Sequence, residues 1–150
     1  NKLFMASPMH DIGKIGIPDS ILNKNGKLDA AEWEIMKTHA QLGYDILKNS
    51  KREILQAAGI VSYTHHEKWD GSGYPEGLAG ENIPLEARIL AIADVYDALR
   101  QKRVYKPGFT HEGAYEIIIR NSGSHFDPTL VKLFSQLQLQ FQAIYDSQMD

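Results

Sequence analysis

Residues 136–142 read QLQLQFQ, and the fold class turns on them. Apolar and polar residues alternate there with the period of two that marks a half-buried strand. A second pattern runs through the same stretch: Leu137, Phe141 and Ile144 recur four and three apart, the spacing of one helical face. The flanks decide between them. Asp127-Pro128 upstream has the form of a helix start, with proline at the first helical position. The stretch is therefore read as helix, and no other segment offers a competing strand pattern. The chain is expected to be all-α.

Working back toward the N-terminus, Gly123 separates this helix from another that opens at Thr110. Pro84 opens a long helix, PLEARILAIADVYDALRQK, over residues 84–102. The glycine-rich run from Asp70 to Ile83 reads as a loop. A helix is expected from about Arg52 to Thr64, with Ile54, Ala58, Val61 and His65 on one face. Asp29 and Glu32 form a capping-box pattern. Behind it Trp33, Met36, Ala40, Gly43 and Leu47 predict one continuous amphipathic helix. Residues 15–28 read as a connector with turns at Pro18-Asp19 and Asn25-Gly26. Ser7-Pro8 predicts a short first helix that ends near Gly13. There is no internal repeat.

The chain has 150 residues, 43% of them hydrophobic, enough for one domain with a real core. Residues 1–107 are read as its metal and substrate core and 108–150 as its C-terminal helices. Sixteen basic and nineteen acidic residues give a net charge of −3. That balance gives no general attraction to DNA or to an anionic membrane, and no apolar run approaches the ~20 residues of a membrane span. With no cysteine there is no disulfide, thiolate metal site or cysteine nucleophile. A cytoplasmic location fits. Asn1 is not an initiating residue, so the chain is expected to be a piece of a longer one.

Four histidines and two aspartates fall on or beside inward-facing helical positions. His10 and Asp11 close the first helix, His39 borders the stripe of Met36, and His65 continues the face of Val61, with His66 next to it. Asp94 shares a face with Ala87, Leu90 and Asp97. Burying carboxylates without partners costs several kcal/mol each, on the order of 2–7 for a polar group; a shared cation removes that cost. Imidazole and carboxylate without thiolate suit iron, manganese, zinc, cobalt or nickel. Six ligands exceed a four-coordinate structural zinc and suit two metals bridged by one carboxylate, the arrangement that activates water against phosphorus.

Five stretches carry a resemblance: HDIGKIGIPD at 10–19, MKTHAQLGYDIL around His39, HHEKWDGSGYP at 65–75, DVYDALRQKRVYK at 94–106 and HFDP at 125–128. Together they resemble the HD-GYP subgroup of the HD-domain phosphohydrolases across nearly the whole chain. The resemblance implies a helical bundle with a glycine-rich GYP loop, a centre of two or three divalent metals, iron or manganese foremost, and hydrolysis of cyclic di-GMP to linear pGpG and onward to GMP. It assigns His10, Asp11, His39, His65, His66 and Asp94 to metal, with Asp11 bridging. It places Lys14 on the scissile phosphate, Arg103 and Lys106 on the ligand's phosphates, and Asp97 as a supporting or ligand contact. Gly73, Tyr74 and Pro75 are the GYP signature, which lines the substrate cleft or docks a diguanylate cyclase (GGDEF) domain. An upstream sensory or receiver domain is implied as well.

Among residues given no metal or substrate role, Glu67 and Asp70 are expected to order the loop, Trp69 to anchor it, His125 to be structural and His111 to be exposed. The family also draws a histidine, and in some members a glutamate, from upstream of the HD pair. Nine residues precede His10 and none is either, so one metal is expected to bind firmly and the other weakly. Two rivals stand beside the phosphodiesterase: an HD phosphohydrolase for another nucleotide, and a non-catalytic module that senses the dinucleotide or docks a protein.

Overall fold

The computed structural model describes residues 9–101 and 107–148. Among them are seven α-helices and two 3-10 turns, no strand, and two isolated β-bridges. The helices are α1 (Asp19–Leu22), α2 (Ala30–Lys37), α3 (His39–Leu47), α4 (Glu53–Thr64), α5 (Leu85–Arg100), α6 (His111–Arg120) and α7 (Pro128–Gln148). No helix of the described residues is long and apolar enough to cross a membrane.

QLQLQFQ lies inside α7. Val131 and Phe134 are buried, and Phe141 and Tyr145 pack against the same core, so helical spacing holds from one end of α7 to the other. The alternating leucines do not make a buried face: Leu137 and Leu139 are both exposed. Ile144 is exposed too, so only Phe141 of the expected stripe reaches the core. That core joins α5, α6 and α7 through Ala91, Ile92, Tyr96, Ala114, Ile118 and Phe126. A buried ion pair ties α5 to α7, with Arg88 donating to Asp127 at 2.7 Å. The other Asp127 oxygen accepts the Thr129 N–H and caps α7.

His111 is 4% exposed, which corrects the expectation that it faces solvent. It sits just after the Thr110 cap, on the inner side of α6. Its two ring nitrogens meet Tyr96 Oη at 2.9 Å and Gln138 Oε1 at 3.0 Å, while Arg100 donates to the same Tyr96 oxygen. This polar chain crosses all three helices and satisfies a buried imidazole.

The N-terminal half is organised around α3, which packs against α4 and against the 3-10 turn Ile12–Gly16. Gly13 permits the second contact. A Cβ there would lie 1.8 Å from the His39 carbonyl oxygen, so no larger residue fits. Ser7 and Pro8 lie outside the described residues; the chain beyond His10-Asp11 takes the 3-10 turn and not the end of an α-helix. Pro18-Asp19 opens the four-residue α1, where the sequence predicts only a turn. The continuous helix expected behind the capping box is instead two. The box forms as read, but Thr38 separates α2 from α3. Ala40, Gly43 and Leu47 are buried as the stripe predicts; Trp33 is 44% exposed and α2 buries no residue.

His125 is structural as expected. Its ring stacks on Phe126 at 4.1 Å, and burial pushes its pKa down to about 4. The unfolded chain therefore takes up this proton first, near the ordinary histidine value of ~6.5. Stability is lost as pH falls from there toward 4 and changes no further below. His125→Phe keeps the stack without the proton. Its Tm relative to the parent is expected to rise as pH is lowered from 7 to 4, measured by thermal melts at each pH.

Candidate metal centre

The start of α3 and the end of α4 meet the 3-10 turn at Asp11. Just past the break at Thr38, His39 Nδ1 donates to the Met36 carbonyl of α2 at 2.7 Å. His39 is thereby fixed with Nε2 turned toward Asp11 Oδ1, 3.6 Å away. His65 caps the C-terminus of α4, where the last carbonyls have no intrahelical donors. Its Nδ1 meets the Val61 and Ser62 carbonyls at 3.1 and 3.0 Å, and its Nε2 lies 3.3 Å from Asp11 Oδ1. A hydrogen bond that holds the far nitrogen is the usual way an imidazole is aimed at a metal. His66 Nε2 lies 3.0 Å from His39 Nε2.

The other carboxylate oxygen faces a second group. Asp11 Oδ2 is 3.1 Å from His10 Nε2 and 3.4 Å from Lys14 Nζ. His10 Nε2 is also 3.5 Å from Asp94 Oδ1 on α5. One oxygen of Asp11 thus looks at His39 and His65, the other at His10, with Asp94 beyond.

Chemistry and spacing both fit a divalent transition metal. Ligand atoms bonded at ~2.1 Å to one ion stand about 3.0–3.4 Å apart, close to the separations seen here. Asp11, His39, His65 and His66 offer ligand atoms that all lie within 4.8 Å of one another. Asp11 Oδ1 and His65 Nε2 are buried without a properly directed hydrogen bond, although close together. Such orphaned atoms are costly unless something else holds them. Burial pushes His39 down and His66 down to about 2, which keeps both rings neutral with a lone pair to give. Burial works against the Asp11 charge, but its contacts with His10 and His65 and the nearby charge of Lys14 outweigh it. The carboxyl is held far below the usual carboxylate range.

The GYP loop closes over this centre. Tyr74 stacks on His66, with ring centroids 4.8 Å apart and planes at 18°, and donates its backbone N–H to the His66 carbonyl. Gly73 is required by that approach, since a Cβ would stand 2.4 Å from the same carbonyl. Pro75 follows across a cis peptide bond. Glu67 orders the loop as expected: it is buried and accepts the N–H groups of Glu76, Gly77 and Leu78 at 2.9–3.1 Å. Asp70 accepts both the N–H and the hydroxyl of Ser72. Trp69 and Asp70 donate backbone N–H groups to His125 and Ser124, which fastens the loop to the α6–α7 connection.

Of the sequence candidates, His10, Asp11, Lys14, His39, His65, His66, Asp94 and Tyr74 are brought together. Asp97 is exposed; it accepts from Gln101 and lines a groove with Tyr96, Phe141 and Tyr145. Arg103 and Lys106 lie outside the described residues. Sequence reading does not single out the neighbours of Tyr74 on α2: Trp33, edge-on to its ring, and Lys37, whose Nζ lies 5.9 Å from the ring centroid. The available signal is their i, i+4 spacing, which puts both on one face.

A family model described as HD domain matches residues 1–130. The chain belongs to the HD-domain family. The triplet Gly73-Tyr74-Pro75 on its loop makes it the HD-GYP type. This HD-GYP chain is 54% identical over 139 residues to 3′3′-cGAMP-specific phosphodiesterase 2 of Vibrio cholerae, a match covering 93% of this chain and 27% of that protein. It is 46% identical over 140 residues to the cyclic di-GMP phosphodiesterase response regulator RpfG of Xanthomonas campestris, covering 93% and 37%. It is 45% identical over 145 residues to a cyclic di-GMP phosphodiesterase of Thermotoga maritima, covering 97% and 39%. The chain thus spans well under half of these relatives. A solved cyclic GMP-AMP-specific phosphodiesterase of Vibrio cholerae superposes with a TM-score of 0.67 at 23% identity, over 99% of this chain and 42% of that one. That likeness shows the HD-type fold.

Proposed function

We propose that this HD-GYP domain is a metal-dependent phosphodiesterase that opens the ring of cyclic di-GMP to linear pGpG. The observation that carries the reading is the division of Asp11, one oxygen toward His39 and His65 and the other toward His10. Asp11 would be shared between two ions, one that His39, His65 and His66 would hold and one that His10 and Asp94 would hold. Divalent metal, when bound there, supplies Lewis acidity toward phosphoryl oxygen and makes water acidic enough to attack near neutral pH.

The chain's own residues do the rest. Neutral His39 and His66 and ionised Asp11 present the donor atoms without first losing protons. Lys14, 3.4 Å from Asp11 and partly exposed, is placed to donate to a non-bridging phosphate oxygen as negative charge builds there. Tyr74, stacked on His66, forms a wall that limits water on one side. In the balanced reaction, water oxygen bonds to phosphorus, the bond from phosphorus to the 3′ oxygen breaks, and a proton ends on that oxygen. The product carries a 5′-phosphate and a free 3′-hydroxyl.

A second substrate, 3′3′-cGAMP, is favoured by the 54%-identical Vibrio cholerae relative named for it. It presents the same phosphodiester chemistry with one adenine. The test is to incubate the Mn²⁺-loaded chain with cyclic di-GMP, 3′3′-cGAMP and cyclic mononucleotides and separate the products by ion-exchange chromatography. Linear dinucleotide from at least one of the first two is expected. No cleavage of either by metal-loaded protein would overturn the reading. Lys14→Ala is expected to retain its metal by elemental analysis and to lose about 100-fold in turnover, the scale of one lost donor to developing charge.

A further inference from the structure

Against the GYP loop is a pocket of about 210 Å³ between α2, the start of α3 and Tyr74-Pro75. Its charged lining is the pair Glu34 and Lys37, one turn apart on α2, with Lys37 Nζ 2.8 Å from Glu34 Oε1. Its aromatic wall is Tyr74, which touches metal-ligand candidate His66 with one ring contact and Trp33 with another. The ring of Tyr74 stands between the pocket and His66, with the two ring centroids 4.8 Å apart.

We propose that this pocket reads the base of the substrate and selects guanine over adenine. The inference rests on the phosphodiesterase reading above and adds the source of its base preference. Guanine presents an acceptor, O6, directly beside a donor, N1–H, with the N2 amino group next in line. An ammonium and a carboxylate side by side match that order, with Lys37 donating to O6 and Glu34 accepting from N1–H and N2–H. Lysine on guanine O6 or N7 is a recurrent pairing for the same geometric reason. Adenine reverses both positions, with an amino donor where O6 stood and a bare nitrogen where N1–H stood. It would set like against like at each side chain. The wall of Tyr74 is sequence-tolerant, because every base has a face to pack on an aromatic ring, so discrimination falls to the two charged residues. Glu34 is largely exposed and Lys37 partly so, so neither is committed to holding the fold.

GMP and AMP separate base reading from catalysis, because neither holds a diester. Their affinities for the Mn²⁺-loaded chain are measured by equilibrium dialysis. The shared phosphate cancels in the ratio. GMP is expected to bind at least about tenfold tighter than AMP, since a site built for a hydrogen-bond pattern rejects the base that lacks it. In Glu34→Gln, whose amide can donate to adenine N1, the ratio is expected to fall to about one or two. Lys37→Met is expected to weaken GMP more than AMP. Equal affinities in the parent, or an unchanged ratio in both variants, would overturn the inference. Parent turnover of cyclic di-GMP is read in parallel. Turnover without a GMP preference sinks the base pocket and leaves the phosphodiesterase. A GMP preference abolished by Glu34→Gln, without turnover of any cyclic dinucleotide, does the reverse.

Discussion

Asp11→Ala is expected to strip metal from both sides of the centre at once and to abolish turnover. The two oxygens of Asp11 face two donor sets, His39 and His65 on one side and His10 on the other. Loss of a residue that merely supports a ligand costs 10–100-fold in affinity or activity, roughly; loss of the shared ligand should exceed about 100-fold in both. It should also leave buried His65 with nothing opposite its Nε2. Elemental analysis after dialysis, beside a turnover assay, checks the result. A variant that keeps as much metal as the parent would mean that Asp11 does not bridge.

Glu67→Ala is expected to cause a large loss of stability through the GYP loop. The carboxylate is 2% exposed and is the acceptor for three consecutive backbone N–H groups, those of Glu76, Gly77 and Leu78. Removing it takes the carboxylate acceptor from all three at once. A hydrogen bond to a charged group is worth about 1.5–3 kcal/mol, and with water replacing part of the loss at the exposed Glu76 and Gly77 the total is about 3 kcal/mol. For a chain of this size that lowers Tm by roughly 6–12 °C. Because Tyr74 packs on His66 from the same loop, turnover should fall further than metal content does. Thermal melts and metal analysis on the same sample separate the two. A Tm within a degree of the parent would show that the loop is held by something other than Glu67.

The fold class was legible because its deciding segment obeys helical spacing over a longer span than it obeys alternation. QLQLQFQ alternates over seven residues, but Val131, Phe134, Phe141 and Tyr145 keep one face of α7 against the core. The finer errors have local causes. Trp33, Met36 and Ala40 are correctly spaced for one helix, and periodicity alone cannot register that Thr38 interrupts it. His39 opens α3 just past that interruption and bonds back to the Met36 carbonyl. His111 follows a helix cap in a polar sequence context, and its burial depends on Tyr96 and Gln138, fifteen and twenty-seven residues away.

The gathering of His10, Asp11, His39, His65, His66 and Asp94 was legible from inward positions and from motif resemblance. What spacing could not supply was which oxygen of Asp11 meets which histidine. That depends on how α3 packs against α4 and against the Ile12–Gly16 turn, with Gly13 pressed against the His39 carbonyl. The pocket of Glu34 and Lys37 was not legible for a related reason. An exposed i, i+3 ion pair is ordinary on any helix, and only the approach of Tyr74 across the fold gives this one a wall to face.

Anomalous diffraction from crystals of the chain soaked in excess Mn²⁺ tests the bridging centre most directly. The account predicts a peak within bonding distance of Nε2 of His39, His65 and His66 and of Asp11 Oδ1. A second, of lower occupancy, is predicted on the Oδ2 side, by His10 and Asp94. Manganese bound elsewhere with no peak at Asp11, or a peak that leaves the Asp11 carboxylate uncoordinated, would contradict it.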